Sequence, residues 1–333
     1  MSGTQTVAVI LAVLNEELHI DACLASLVEQ TVTPDVIIIA DGGSTDETVS
    51  RIADWQSDHP DMIHLIDNPH RHQAAGLTLA ARATNADVLV RADGHTTFDP
   101  TYVSESLDAL AGRSRVAVGG SQVGSAQPGP ARAIAAAMTS RFAVGPAPYR
   151  HRTQAGEVDT VYLGTFRRVD FLELDGYRLL PSGAAEDADF YYRWRQRGWV
   201  VEFHPPIRST YHPRTSYAAL FKQFMKYGVA KADMLKLHGR LPHARPLAPV
   251  ALVVLLAGSG VLFVMTGQPG PLVILLGAWG IGLVGVAASV KGDVATRLGA
   301  TLATGVIHIS YGLGLLKGLM RSARKIRAGT RTF

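Results

Sequence analysis

The first 240 residues alternate short β-branched runs with segments of helical spacing. Val7–Val13 is a continuous apolar run and reads as a buried strand, followed by apolar positions at helical spacing over Leu18–Val28. Val36–Ile39 is a second strand, and Ser44-Thr45-Asp46-Glu47 has the form of a capping box that opens the next helix. Met62–Ile66 reads as a strand, Gln73–Thr84 as a helix and Val88–Val90 as a strand. Continuous apolar strands separated by helices predict a parallel sheet covered on both faces. Ligands of such sheets bind beyond the carboxyl ends of the strands. The polar residues just after strands are therefore the first candidates: Asn15-Glu16, Asp41-Gly42-Gly43 and Asp93-Gly94-His95.

The pattern changes after Arg245. No Asp, Glu, Lys or Arg occurs again until Lys291. Leu247–Thr266 and Leu272–Val290 each have the length and character of a bilayer span, and Gly267-Gln268-Pro269-Gly270-Pro271 turns between them. A helix apolar all round needs lipid or complete burial, so the pair reads as a transmembrane hairpin. A third run, Leu298–Leu316, contains His308, Ser310 and Tyr311. It can span, lie in the interface, or pack on the hairpin through Gly314-x-x-x-Gly318. Lys317, Arg321, Arg324, Lys325, Arg327 and Arg331 then follow without an acid, a tail that prefers the cytoplasmic side. Two spans from a cytosolic N-terminal domain satisfy that preference and three do not, so the pattern leaves two or three. Val7–Leu14 is too short, and too acidic in its sequel, for a signal peptide, which keeps the N-terminal domain in the cytosol.

Composition adds exclusions. Charged residues are 18% of the chain, against about 25% in an average soluble domain, which argues against disorder or a coiled coil. A net charge of +4 on 333 residues gives no reason to expect nucleic acid. The single cysteine, Cys23, excludes an internal disulfide framework. A Gly-x-Gly-x-x-Gly does occur at Gly280, Gly282 and Gly285, but inside the second apolar run, where no strand precedes it and no acid follows to bind a ribose.

Three groups of residues carry candidate chemistry. Asp93 and His95 stand two positions apart after a strand, and alternate side chains of an extended segment share a face. One carboxylate and one imidazole suit Mn²⁺ or Mg²⁺ completed by substrate phosphates; a plain Asp-Gly turn is the alternative. Glu186-Asp187 opens a helix with an aromatic face, Phe190-Tyr191-Tyr192-Arg193-Trp194. Carboxylates there cap the helix dipole, or one serves as a general base that takes a proton from a sugar hydroxyl. From about Ser216, Leu220, Phe221, Phe224 and Tyr227 form an apolar stripe flanked by Lys222, Lys226 and Lys231, which predicts an amphipathic helix at the membrane interface.

The order of these motifs resembles the family 2 glycosyltransferases. Asn15-Glu16, Asp41-Gly42-Gly43-Ser44-Thr45-Asp46, Asp93-x-His95, Glu186-Asp187 and Gln223-x-x-Lys226-Tyr227 follow one another over about 230 residues and lead into membrane helices. Val158–Arg168 and His308-Ile309-Ser310-Tyr311-Gly312 look like the bacterial exopolysaccharide glucosyltransferases of the succinoglycan type. The resemblance implies a GT-A fold, α/β with a mostly parallel Rossmann-like sheet, followed by C-terminal transmembrane helices. It divides the chain into a cytosolic catalytic domain over 1–215, an amphipathic interfacial helix and linker over 216–245, membrane helices over 246–320 and a basic tail over 321–333.

By the same resemblance, Leu14, Asn15, Glu16 and Asp41 cradle the nucleoside of a UDP-sugar, with Arg71 near the base or phosphate. Asp93 and His95 occupy the family's Asp-x-Asp and bind donor diphosphate and metal. Asp187 is the catalytic base. Gly164, Thr165 and Phe166 floor the acceptor site, with Glu186, Gln223, Lys226 and Tyr227 around it. Two motifs depart from the family pattern: His95 replaces the second carboxylate, and Lys226-Tyr227 replaces Arg-Trp. Lys binds phosphate as a point charge rather than a fork, which argues against a processive synthase. The implied activity is inverting transfer of a hexose from a UDP-sugar to a lipid-linked saccharide at the inner, plasma membrane, in exopolysaccharide or glycolipid synthesis. Two rivals stay open: transfer to a polyprenyl phosphate itself, and a catalytically silent nucleotide-sugar-binding membrane subunit.

Overall fold

Seven apolar residues, Val7–Val13, form the central strand β1. The computed structural model describes residues 5–124, 129–145, 152–211, 215–239 and 244–333. β1 is flanked in parallel by β2 (Val36–Asp41) and β4 (Val88–Asp93), and β3 (Ile63–Asp67) extends the sheet beyond β2. The remaining strands are β5 (Thr96–Phe98), β6 (Val116–Gly124), β7 (Gly156–Glu157), β8 (Tyr162–Arg167) and β9 (Val200–Tyr211). The strand order is β3-β2-β1-β4-β8-β6-β9-β5, with β7 on β9. The sheet is mixed rather than parallel throughout, because β8 runs antiparallel to both β4 and β6.

Helices cover both faces, as continuous apolar strands require. Val7, Val9, Leu11 and Val13 point to the face packed by α1 (Ile20–Val28), α2 (Thr48–Asp58) and α4 (Tyr102–Leu110). Ala8 and Ile10 point to the other, where α3 (Gln73–Arg82) packs with an aromatic cluster. Phe171 of α7 (Arg168–Glu173) and Phe190 and Trp194 of α8 (Glu186–Gln196) belong to that cluster. Each fully buried side chain of this size contributes about 1.5–3 kcal/mol.

Between β6 and β7 lie α5 (Pro130–Met138) and α6 (Arg141–Val144). After β9 come α9 (Tyr217–His238), α10 (Leu247–Thr266), α11 (Gly270–Ser289), α12 (Val294–Leu319) and α13 (Ala323–Gly329). Ser216 caps α9, its Oγ accepting from the Ala219 amide at 3.2 Å, so the expected start of this helix holds. Residues 240–243 of the expected linker lie outside the described residues. α10, α11 and α12 are each long and apolar enough to cross a membrane.

Local structure departs from the sequence pattern in three places. Ser44 does not cap α2. The Asp41 carboxylate captures its hydroxyl at 2.5 Å, and Asp46 Oδ1 accepts from the Thr48 amide instead. Asp93 is the last residue of β4, and Gly94-His95 form a turn into β5 rather than an extended segment. Gly314 and Gly318 pack on α9, not on the hairpin. A methyl at Gly314 would overlap the Met225 backbone, and one at Gly318 the Ala232 side chain. The hairpin instead meets α12 at Gly312, beneath Pro249, and at Gly305, beside Trp279.

Candidate active site

The parallel strands deliver their polar residues to one edge. Asp41 lies in register with Val13, and Asp93 with Ala12, so the loops after β1, β2 and β4 open side by side. The first two are laced together. Asn15 adopts φ +57°, donates its amide to Ser44 Oγ (2.9 Å) and accepts the Thr45 amide on Oδ1 (2.8 Å). The Asp41 carboxylate accepts from the amides of Gly43 and Ser44, and Arg71, itself at φ +56°, donates Nη2 to the Gly43 carbonyl at 3.2 Å. Leu14 is partly exposed beside Gly42. Leu14, Asn15, Asp41 and Arg71 thus share one crevice at the sheet edge.

Asp93 is almost wholly buried. Its Oδ1 accepts from Gln73 Nε2 (2.8 Å) and Arg91 Nη2 (3.5 Å), while its Oδ2 accepts no hydrogen bond from the described residues. His95 turns toward the end of β1, with Nδ1 3.1 Å from Glu16 Oε1. A carboxylate beside Nδ1 favours the tautomer that carries its proton there. Tyr211 stands edge-on to the ring, and Tyr162 beside it bonds Thr96 (2.9 Å). No set of three His, Cys, Asp or Glu side chains among the described residues converges on a metal position. A carboxylate and an imidazole are donor types that suit an ion whose other positions are filled by phosphate oxygens and water. The uncommitted Asp93 oxygen fits that role.

Glu186 and Asp187 start α8, after Ala185 in the left-handed region (φ +64°). Neither caps the helix from the N-cap position. Glu186 accepts from Arg91 Nη2 at 3.1 Å, and among the described residues Asp187 Oδ1 takes the adjacent Ala188 amide at 2.7 Å. Burial, then the charge of Asp187, push the Glu186 carboxyl up, and Arg91 opposes them. Arg91 is itself buried, over the Tyr177 ring at 5.0 Å. Burial disfavours its charge, but Asp93, Tyr177, Glu186 and Asp187 more than compensate and hold its pKa well above the usual value. One guanidinium therefore ties the Asp-x-His element to the Glu-Asp element.

The other expected residues divide. Gly164 (φ +114°) lies under the Tyr191 hydroxyl, which donates to the Leu163 carbonyl at 2.7 Å, so any side chain there would collide with the tyrosine. Thr165 is fully buried with Oγ1 unpartnered, and Phe166 points into the aromatic core, stacked on Phe171 at 5.1 Å. On α9, Gln223 Nε2 donates to Tyr227 Oη at 3.0 Å. Lys226 reaches Gly183, just ahead of the Glu-Asp pair, and its charge adds to burial in depressing the His72 pKa. The apolar stripe of α9 splits: Leu220 and Phe224 are buried, whereas Phe221 and Tyr227 are exposed.

Sequence reasoning missed Arg91, Gln73 and Tyr177, and treated Lys231 only as a flanking charge. Burial lowers the Lys231 pKa, while Asp187 and Asp159 act in the opposite direction. Arg91 carried a usable signal: an ionisable residue inside a continuous apolar strand is almost never buried unpaired.

The family model for glycosyl transferase family 2 matches residues 8–162. The succinoglycan biosynthesis protein ExoA of Rhizobium meliloti (strain 1021) is 27% identical over 326 residues, 96% of each chain. A dolichyl N-acetyl-alpha-D-glucosaminyl phosphate 3-beta-D-2,3-diacetamido-2,3-dideoxy-beta-D-glucuronosyltransferase of Methanococcus voltae is 22% identical, over 69% of this chain and 74% of its own. Among solved structures, the mannosyltransferase PcManGT of Pyrobaculum calidifontis, in complex with GDP-Man and Mn²⁺, superposes with a TM-score of 0.58 at 19% identity, over 96% of this chain and 88% of that one. The fold is GT-A.

Proposed function

From the premise that residues 8–162 form a family 2 glycosyltransferase domain, we propose that the chain transfers a hexose, with inversion, from a UDP-sugar to a lipid-linked saccharide on the cytosolic face of the plasma membrane. The observation that carries this reading is the Arg91 bridge, 3.5 Å to Asp93 and 3.1 Å to Glu186. It holds the donor-side carboxylate and the Glu-Asp pair on one guanidinium.

The crevice of Leu14, Asn15, Asp41 and Arg71, with Glu16 next to it along the chain, receives the nucleoside and its phosphates. Asp93 and His95 would hold Mn²⁺ or Mg²⁺, which when bound offsets charge on the departing diphosphate. Asp187 accepts the proton of the acceptor hydroxyl as that oxygen attacks the anomeric carbon. Arg91 keeps Glu186 and Asp93 in place, and Lys226 and Lys231 bring positive charge to an acceptor that carries a lipid phosphate. The Methanococcus relative's name describes a dolichyl-linked sugar phosphate, and the Pyrobaculum enzyme holds a nucleotide-sugar with Mn²⁺; both support a lipid-linked acceptor, a nucleotide-sugar donor and a divalent ion.

The test is sugar transfer into the lipid fraction by purified full-length protein in native-like membranes. Labelled UDP- and GDP-sugars are supplied with Mn²⁺, with Mg²⁺ or with chelator. Asp187→Asn is expected to lose about 10²–10⁴-fold in turnover while still binding nucleotide, the usual contribution of a general base. Near-wild-type turnover in that variant would remove Asp187 from the role and favour a phosphate acceptor, which needs no base.

A further inference from the structure

α12 has the length and hydropathy of a membrane span. We propose that it does not cross: it lies along the membrane surface on the side of the catalytic domain, its exposed apolar face seated on the phospholipid bilayer, and α10 with α11 forms the crossing pair. The inference extends the membrane reading above and rests on the hairpin entering a bilayer.

α12 is tied to α5 and α9 at its start and to α9 at its end. At its start, Tyr217 Oη donates to the Gly299 carbonyl at 3.3 Å, and a methyl on Gly299 would meet Ala133 of α5. Along the middle, Ala300, Ala303 and Ile307 share a core with Ile134, Ala137 and Met138, and the His308 ring bonds the Phe142 carbonyl at 3.0 Å. At its end, Lys236 Nζ donates to the carbonyls of Gly318, Leu319 and Arg321, and Arg321 pairs with the fully buried Asp233 at 3.1 Å. The chain then returns to the loop ahead of α8, where Leu179 and Arg331 exchange backbone hydrogen bonds at 2.9 and 3.1 Å.

A helix of 26 residues is about 39 Å long, more than the roughly 30 Å of a hydrocarbon core. If α12 crossed, one end would lie across the membrane from the catalytic sheet. Yet α5 hangs between two strands of that sheet and α9 follows the last of them. α9 runs alongside α12 and cannot cross either, since it carries Lys222, Lys226, Lys231, Lys236 and Asp233.

The free face has the form of an interfacial helix. Val294, Leu298, Leu302, Leu313 and Met320 are exposed. At 3.6 residues per turn they fall within an arc of about 100°. Gly305 and Gly312 lie at the edge of that arc, where Trp279 and Pro249 of the hairpin meet them, so the apolar face continues onto the spans. Exposed Lys317 lies beyond the other edge, placed to keep its head among phosphates while its stem covers apolar surface. This arrangement also leaves the basic residues of 321–333 on the catalytic-domain side, which resolves the conflict between hydropathy and charge.

The experiment uses the full chain with Cys23→Ser and single cysteines introduced one at a time. Gln268→Cys, in the hairpin turn, is expected to react with a membrane-impermeant maleimide in intact cells. Thr332→Cys is expected to react only after permeabilisation. Bimane on Leu298→Cys, Leu302→Cys, Leu313→Cys and Met320→Cys should be quenched most by lipids brominated near the headgroup, all four at one shallow depth. Labelling of Thr332→Cys from outside, or a depth profile that passes through the bilayer centre along α12, overturns the proposal. So does a Gln268→Cys that stays unlabelled in intact cells, which removes the crossing hairpin. Sugar transfer by the same variants is read separately and reports on the enzyme alone.

Discussion

At the scale of single residues, the site depends on pairing charges that the fold has buried. Arg91 is the clearest case. It is buried between Asp93 and Glu186, and removing one partner of a buried ionic cluster leaves uncompensated charge, at a cost of about 3–5 kcal/mol. Arg91→Met is therefore expected to lower the thermal unfolding midpoint of the purified protein sharply, whereas Arg71→Met, at a residue that donates to a loop carbonyl in an exposed setting, should leave it near wild type. Midpoints measured side by side check this; a stable Arg91→Met would mean that Asp93 and Glu186 are held by something other than the guanidinium. The candidate residues that sequence reading found are those whose chemistry is local: a carboxylate after a strand, a histidine two positions on, an acidic pair opening a helix. Arg91, Gln73 and Tyr177 escaped because their partners lie far along the chain, as with the 95 positions between Arg91 and Glu186.

At the scale of elements, α8 is the hinge between the site and the membrane region. Its fully buried Asp189 accepts from Arg193 Nε at 2.7 Å and faces His238 Nε2 of α9 at 2.8 Å, and Arg193 in turn donates to the carbonyls of Leu174 and Gly176. Burial works against the Asp189 charge, but the bonds from His238 and Arg193 outweigh it and hold its pKa below the usual carboxylate range. A carboxylate with a depressed folded-state pKa contributes stability above its unfolded pKa of about 3.9, and that contribution is lost as pH falls through the lower folded value. Asp189→Asn is thus expected to be less stable than wild type at pH 7 by about 3–5 kcal/mol, with the gap closing below about pH 4. Unfolding midpoints of both proteins across that range test the sign; a gap that widens on acidification would contradict it. Most elements were legible in the sequence, because apolar periodicity is a local property: β1 and α10 have the bounds expected of them. The exceptions have local causes too, as where Asp41 draws Ser44 away from the start of α2.

At the scale of the whole molecule, residues 321–333 close the chain back onto the catalytic domain. Ile326 is fully buried, Phe333 packs on His70 at 4.7 Å between ring centroids, and Arg331 bridges to Leu179. The tail therefore links the loop that carries Arg71 to the loop that leads into Glu186-Asp187. Removing residues 330–333 deletes three backbone hydrogen bonds, two of them to Leu179, each worth about 0.5–1.5 kcal/mol net. Faster amide exchange at Leu179 and its neighbours is expected, with the β1–β4 core unchanged; equal protection in the truncated and full chains would show that the loop holds itself.

The sequence by itself determined the alternation of strands and helices, the residues that stand at strand ends, and the three apolar helices, because burial, turn chemistry and hydropathy are written into short stretches of chain. Tertiary structure decided the rest. It ran β5, β7 and β8 antiparallel to their neighbours, turned Phe166 into the core, packed Gly164 beneath Tyr191, and joined Asp93 to Glu186 through Arg91. It also set α12 beside α9, with Gly314 and Gly318 under Met225 and Ala232. Whether an apolar helix crosses a membrane or rests on it depends on where both of its ends are held. Those contacts lie with residues up to 166 positions away, as between His308 and Phe142, beyond the reach of any local pattern.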